Sequence, residues 1–324
     1  MFLQKLKDGF IRYKTILTVA AFFIAIFGGI ALGYKVIPQP ELSTQEQEKQ
    51  ILTLIDKKTA EVQEIAKDVL PAKGYQTKIS LGDVVPKLIE SGAIDVAKFE
   101  ELYAQRGGMT EEQKKLLSEP SNEPILIDSK NSQFLLNILW PLGIANKNSA
   151  LDETLKNVGE KDIGNLAATG GWTLGKVKNG GEYYNKLEIL KLTKDQDELV
   201  LRVAEGIFRP CCGNSTAFPD CNHGAAMLGL IQLGVVQGLS EKELYEEAMK
   251  FNSFWFPEQY TKIAIAFKTF ENKDWKDVDP KVVVGKNYSS GSGFAKNISN
   301  PLSELPWFAP KQNMGGGGGG GCSA

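Results

Sequence analysis

Histidine occurs once in this 324-residue chain, as His223, and cysteine four times. One histidine excludes any His-rich metal site and leaves a His-based dyad or triad with a single candidate base. The sequence contains no Gly-x-Ser-x-Gly, no His-Glu-x-x-His and no Cys-x-x-Cys-His. Nucleophile-elbow, zincin and attached-haem chemistries therefore lack their signatures. Four cysteines over this length do not make a disulfide scaffold, which is short and cysteine-dense. Charge of one sign is not in excess either. The 37 basic and 39 acidic residues leave a net charge of −2, with no basic stripe or acidic tail. Composition thus argues against a nucleic-acid partner. The glycine-rich "ATGGWTLG" at 168–175 lacks the spacing of a phosphate-cradling loop and follows no strand pattern. There is no internal repeat, and only one long hydrophobic run.

That run is "TILTVAAFFIAIFGGIALGY", residues 15–34, uncharged between Lys14 and Lys35. Twenty apolar residues on a helix span about 30 Å, the thickness of a bilayer's hydrocarbon core. Lys5, Lys7, Arg12 and Lys14 precede it, against Asp8 alone. The positive-inside rule then keeps residues 1–14 in the cytoplasm and sends the rest outward. "ALG" at 31–33 would also serve a cleaved signal peptide, but the run exceeds the usual length of such a region. The expectation is a single-pass anchor in the cell membrane, partnered by the lipid bilayer, with an extracytoplasmic body.

Hydrophobic residues make up 42% of the chain, ample for a core. Beyond the anchor, residues 35–70 read as a polar stalk and an amphipathic helix, with Ile51, Leu54, Ile55, Val62, Ile65 and Val69 near a helical period before Pro71. Residues 71–190 read as short helices punctuated by glycine and proline, among them "SLGDVVPKLIESGAI" and "DVAKFEELYAQRGG". Thr110 with Gln113, Thr193 with Gln196, and Ser240 with Glu243 are capping-box pairs. "NSQFLLNILWPLGIANK" reads as a core helix interrupted by Pro141. "KLEILKL" at 186–192 is the one candidate strand. Residues 191–275 form a cysteine-loop helical region whose "HGAAMLGLIQLGVVQG" is apolar on every face but Gln232, a buried helix. Pro257 suits the first turn of the helix that follows it. Residues 276–314 read as irregular, and 315–324 as a polyglycine tether, Gly315 to Gly321, carrying Cys322. Trp140, Trp172, Trp255, Phe256 and Trp307 read as core or groove aromatics. The fold class expected is mainly α: an N-terminal transmembrane helix, a stalk, and a compact helical domain with little or no β structure.

Three of the four cysteines and the only histidine fall within "RPCCGNSTAFPDCNHG". Asp220 is well placed to cap the apolar helix, which puts Cys221 and His223 in its first turn. The helix dipole there favours a Cys221 thiolate and a neutral His223, the forms that a metal or a general base requires. Cys211, Cys212, Cys221 and His223 make a soft donor set suited to zinc or copper(I). The spacing, Cys-Cys-x8-Cys-x-His, is not that of a standard zinc finger. Adjacent cysteines usually point apart, so only one of Cys211 and Cys212 is expected to bind. Met227, one turn after His223, can add a thioether for copper, although an apolar helix wants a methionine there for packing anyway.

The same residues allow a thiol–disulfide reading, in which Cys211 or Cys212 pairs with Cys221 and the tethered Cys322 resolves. They also allow a plain loop-closing disulfide in a scaffold module whose anchor and stalk hold partners near the membrane. A Cys221–His223 nucleophile–base pair is disfavoured, since residues two apart on a helix do not face each other.

The stretch "RPCCGNSTAFPDCNHGAAML", with "QGLSEKELYEEAMKF" after it, resembles a bacterial lipoprotein family with a Pro-Cys-Tyr-Cys-Gly-Cys motif. Pro210, Cys211, Cys212, Gly213, Cys221, His223 and Gly224 match in kind, as do Gly238, Ser240 and Glu243 on the second helix. The resemblance covers about fifty residues and implies a surface-anchored cysteine site. The chain departs from that pattern in its vicinal pair, in having Met227 and no cysteine pair on the helix, and in lacking a lipobox cysteine.

Overall fold

The computed structural model describes residues 44–305 together with 307 and 308. The expected anchor at 15–34 and the polyglycine tail with Cys322 lie outside the described residues. Among the described residues no helix is long and apolar enough to cross a membrane. The chain divides into two units, residues up to Lys57 and residues from Lys58 onward. Of the first, the described part is helical from Thr44, the start of helix α1 (Thr44–Val69). In the second, helices dominate, as expected, around one small sheet.

The centre of the second unit is the pair α5 (Ser132–Ala145) and α8 (Asn222–Val236). Both are apolar almost all round, and a helix with no polar face has to be covered on every side. They cross backbone to backbone. A Cβ on Gly143 would stand 1.7 Å from the Ala225 carbonyl oxygen, and one on Gly229 would stand 2.4 Å from that of Leu139. Only glycine at both positions permits this approach. Pro141 does not interrupt α5, contrary to the sequence expectation: the helix runs on to Ala145. Packing on all sides offsets the one backbone hydrogen bond that a proline removes.

Around this pair stand α2 (Val84–Glu90), α3 (Val96–Ala104), α4 (Glu111–Ser118), α6 (Ser149–Val158), α7 (Lys194–Gly206) and α9 (Glu241–Trp255). The capping boxes form as read: Thr110–Gln113 opens α4, Thr193–Gln196 opens α7, and Ser240–Glu243 opens α9. Buried residues from Ile79 to Val284 share a single core, so the regions 71–190 and 191–275 pack as one. A second cluster joins the end of α1 to α10 (Pro257–Glu271), with Val283, Ile298 and Leu302 contributing. Residues 280–303, expected to be irregular, form short helical turns that bury those three side chains.

The β structure falls elsewhere than expected. Residues 186–192 form no strand and contribute one isolated bridge, Asn146 to Leu187. The sheet is instead antiparallel β1 (Tyr75–Gly82) and β2 (Ser121–Ile127), with Tyr75 opposite Ile127 and Ser80 opposite Pro124. Thr77, Ile79 and Leu81 point inward at period two. Side chains of the helices occupy the other edge of β1. Gln237 accepts from the Ser80 N–H at 3.0 Å and donates to its carbonyl at 2.7 Å, and Glu247 accepts from the Lys78 N–H at 3.3 Å.

Candidate metal or thiol centre

The cysteine loop begins where α7 has to end. A Cβ on Gly206 would lie 2.2 Å from the Tyr245 hydroxyl oxygen, so the last residue of the helix is one without a side chain. From there the backbone is tied on every side. Thr216 N–H donates to the Ile207 carbonyl, Phe208 N–H to that of Val284, and Ala168 N–H to that of Asp220. The Gly291 N–H donates to the Cys212 carbonyl at 2.8 Å. A loop so tied holds its side chains in place without help from regular structure.

Inside the loop lies a buried arginine. Arg209, 1% exposed, donates through Nη1 to the Asn214 carbonyl (3.0 Å) and through Nη2 to Asp220 Oδ1 (2.8 Å) and, at 3.5 Å, to the Phe218 carbonyl. Its Nε lies 3.3 Å from Cys221 Sγ. The guanidinium sits over the first turn of α8, where a Cβ on Gly224 would be 2.4 Å from Nη2. Burial alone would lower its pKa, but the facing sulfurs outweigh that and raise it.

Around this cation the three sulfurs converge. The Sγ atoms of Cys211, Cys212 and Cys221 all lie within 4.8 Å of one another, and Cys211 Sγ is 3.8 Å from Cys221 Sγ. The expectation that the vicinal side chains point apart is therefore corrected, because the tied loop turns both toward Cys221. All three are free thiols, graded from exposed Cys211 through half-buried Cys212 to buried Cys221. Of the three, Cys221 is the one whose thiolate form is favoured. Hydrogen bonds from the Cys211 and Cys212 thiols, with Arg209 beside them, lower its pKa against the effect of burial. Cys211 moves the opposite way, raised chiefly by donating to its two neighbours.

Asp220 is not the N-cap of α8. Cys221 holds that position, with extended backbone angles of φ −128° and ψ 167°. The Asp220 carboxylate is engaged by Arg209 on one oxygen and by Asn214 Nδ2 at 2.8 Å on the other. His223 also departs from expectation. It does not belong to the set of converging ligand atoms. Its ring packs instead 4.5 Å from the Phe256 ring and 5.9 Å from that of Trp255, centroid to centroid. Its buried Nδ1 has no hydrogen-bond partner in the described structure. Burial lowers its pKa to about 4, so the ring is neutral at pH 7, chiefly through desolvation. Met227 is wholly buried in the main core.

Sequence reasoning passed over Arg209. Its signal was faint: a charged residue in an otherwise uncharged run, with Gly224 on the helix leaving room for it.

Comparison of the chain with protein-family models, curated proteins and solved structures found no match.

Proposed function

We propose that the cluster of Cys211, Cys212 and Cys221 binds a thiophilic metal ion, zinc or copper(I). The observation that carries this reading is the 3.8 Å between Cys211 Sγ and Cys221 Sγ. Two thiolates each bound at about 2.3 Å to a tetrahedral ion stand about 3.8 Å apart. The thiols of Cys211 and Cys212 and the Arg209 cation beside Cys221 favour its thiolate, against the cost of burial, before any ion arrives. Three sulfurs make a complete set for copper(I), whereas zinc takes a fourth donor. His223 supplies that donor if its ring turns away from Phe256; otherwise solvent does so on the exposed Cys211 side.

A loop-closing disulfide is the second reading, and the same closeness of Cys211 to Cys221 favours it. A thiol–disulfide oxidoreductase is less well supported. Its attacking sulfur should be an accessible thiolate, and here the thiol shifted toward the thiolate is the buried Cys221, while exposed Cys211 is shifted the other way. We propose also that residues 15–34 anchor the protein in the cell membrane with the body outside the cytoplasm; the uncharged run and the lysines before it support this.

Protein purified without added metal decides between the readings. About one equivalent of zinc or copper per chain, lost in Cys221→Ala, is expected. Metal-free protein whose non-reduced peptide map links Cys211 to Cys221 would overturn the metal reading in favour of the staple.

A further inference from the structure

A cleft of about 1000 Å³ opens among the end of α1, the start of β1, α9 and the turn at 275–281. It shares no lining residue with the sulfur cluster. Tyr75, Met249, Phe254 and Trp275 give it apolar and aromatic walls, and Lys250 of α9 stands among them. The Lys250 side chain is 20% exposed. Its Nζ lies 3.5 Å from the centroid of the Tyr75 ring and 3.7 Å from Glu247 Oε1. Glu247, one turn earlier on the same helix, is 1% exposed, and its Oε2 has no hydrogen-bond partner in the described structure. Other charges stand on the elements around the cleft. From β1 comes Lys78, whose ammonium is engaged by Glu243 and Glu246. Asp68 of α1 lines the cleft, as do Lys281 and Glu241, which pair with each other.

The cleft is not built for an anion. Five carboxylates (Asp68, Glu241, Glu246, Asp277 and Asp279) against four ammonium groups line it. Its distinguishing feature is a half-sheltered amine with an underused carboxyl behind it. Burial brings that amine down to about 8 and pushes the Glu247 carboxyl up to about 7. The free-base form of the amine is therefore far better populated at neutral pH than on an ordinary lysine.

We propose that Lys250 captures carbonyl compounds, its Nζ condensing in this cleft with the aldehyde or ketone group of a ligand that has an apolar or aromatic body. The nitrogen lone pair attacks the carbonyl carbon, and the carbonyl π electrons pass to oxygen. One N–H proton moves to that oxygen, giving a carbinolamine. Protonation of the hydroxyl by Glu247 releases water, and the nitrogen lone pair forms the C=N bond. The remaining N–H proton returns to Glu247. No oxidant or reductant is consumed.

The test is reductive trapping on the full chain with benzaldehyde and cyanoborohydride, followed by peptide mapping. Lys194, 88% exposed, serves as the internal reference. Lys250 is expected to be alkylated at least about tenfold faster than Lys194, and Glu247→Gln to reduce that ratio. Lys250→Met should lose this adduct while leaving labelling of Lys194 unchanged. Labelling of Lys250 no faster than that of Lys194 in the unaltered protein would overturn the proposal, whether or not either variant folds.

Discussion

Arg209 is the residue on which the cysteine loop depends. Its guanidinium satisfies two carbonyls, the Asp220 carboxylate and the Cys221 sulfur from a fully buried position. Removing it would strand Asp220 and the Cys221 thiolate without a counter-charge. Arg209→Met is accordingly expected to cost about 3–5 kcal/mol, read as a lower urea midpoint with an unchanged slope. Arg209→Lys should recover part of that loss, since an ammonium keeps the charge but cannot span all four acceptors. Glu247 makes a separate prediction in pH. Burial raises its carboxyl from the ordinary 4.5 to about 7, against the lowering effect of the Lys78 N–H. A group that holds its proton more tightly when folded contributes stability that is whole below about pH 4.5 and is lost as pH rises through about 7. The wild type should therefore lose about 2–3 kcal/mol over that window relative to Glu247→Gln. Parallel pH profiles for the two proteins, measured by chemical denaturation, would refute the assignment.

Between elements, the α5–α8 crossing is the least tolerant contact. A methyl group at Gly143 would meet the Ala225 carbonyl, one turn into the helix whose cap is Cys221. Gly143→Ala should cost about 3 kcal/mol and should also weaken metal retention, because the displaced turn carries a sulfur. Equilibrium dialysis of wild type and variant checks the second effect independently of the first. By contrast, Thr193→Ala removes one capping box and should cost only about 1 kcal/mol, with metal content intact. Such boxes were legible in the sequence because a cap is a rule about four consecutive residues. The two central helices were legible because apolar residues cover every face. The sheet was not. The pairing of β1 with β2 joins residues from 39 (Gly82 to Ser121) to 52 (Tyr75 to Ile127) positions apart, and the period-two run Thr77–Ile79–Leu81 merges directly into the helical run at Val84. Convergence of both vicinal cysteines depends on backbone ties from Ile207, Val284 and Gly291. The orientation of His223 depends on an aromatic pair that arrives at the end of α9. Neither is a property of the loop's own letters.

For the whole molecule, the metal reading has a thermodynamic consequence. An ion that binds only the folded chain stabilises it by mass action, by about 4 kcal/mol when free metal exceeds Kd about 1,000-fold. Adding zinc or copper(I) under reducing conditions should raise the melting temperature of the wild type and leave that of Cys221→Ala unmoved. A chelator should reverse the rise. No shift in the wild type under those conditions would count against a metal.

The Gly291 N–H holds the Cys212 carbonyl, and Val284 receives the Phe208 N–H. Both partners come far downstream of the loop they close. A chain emerging from the ribosome would thus keep its three sulfurs on an incompletely tied loop until residues 284–291 had emerged and docked.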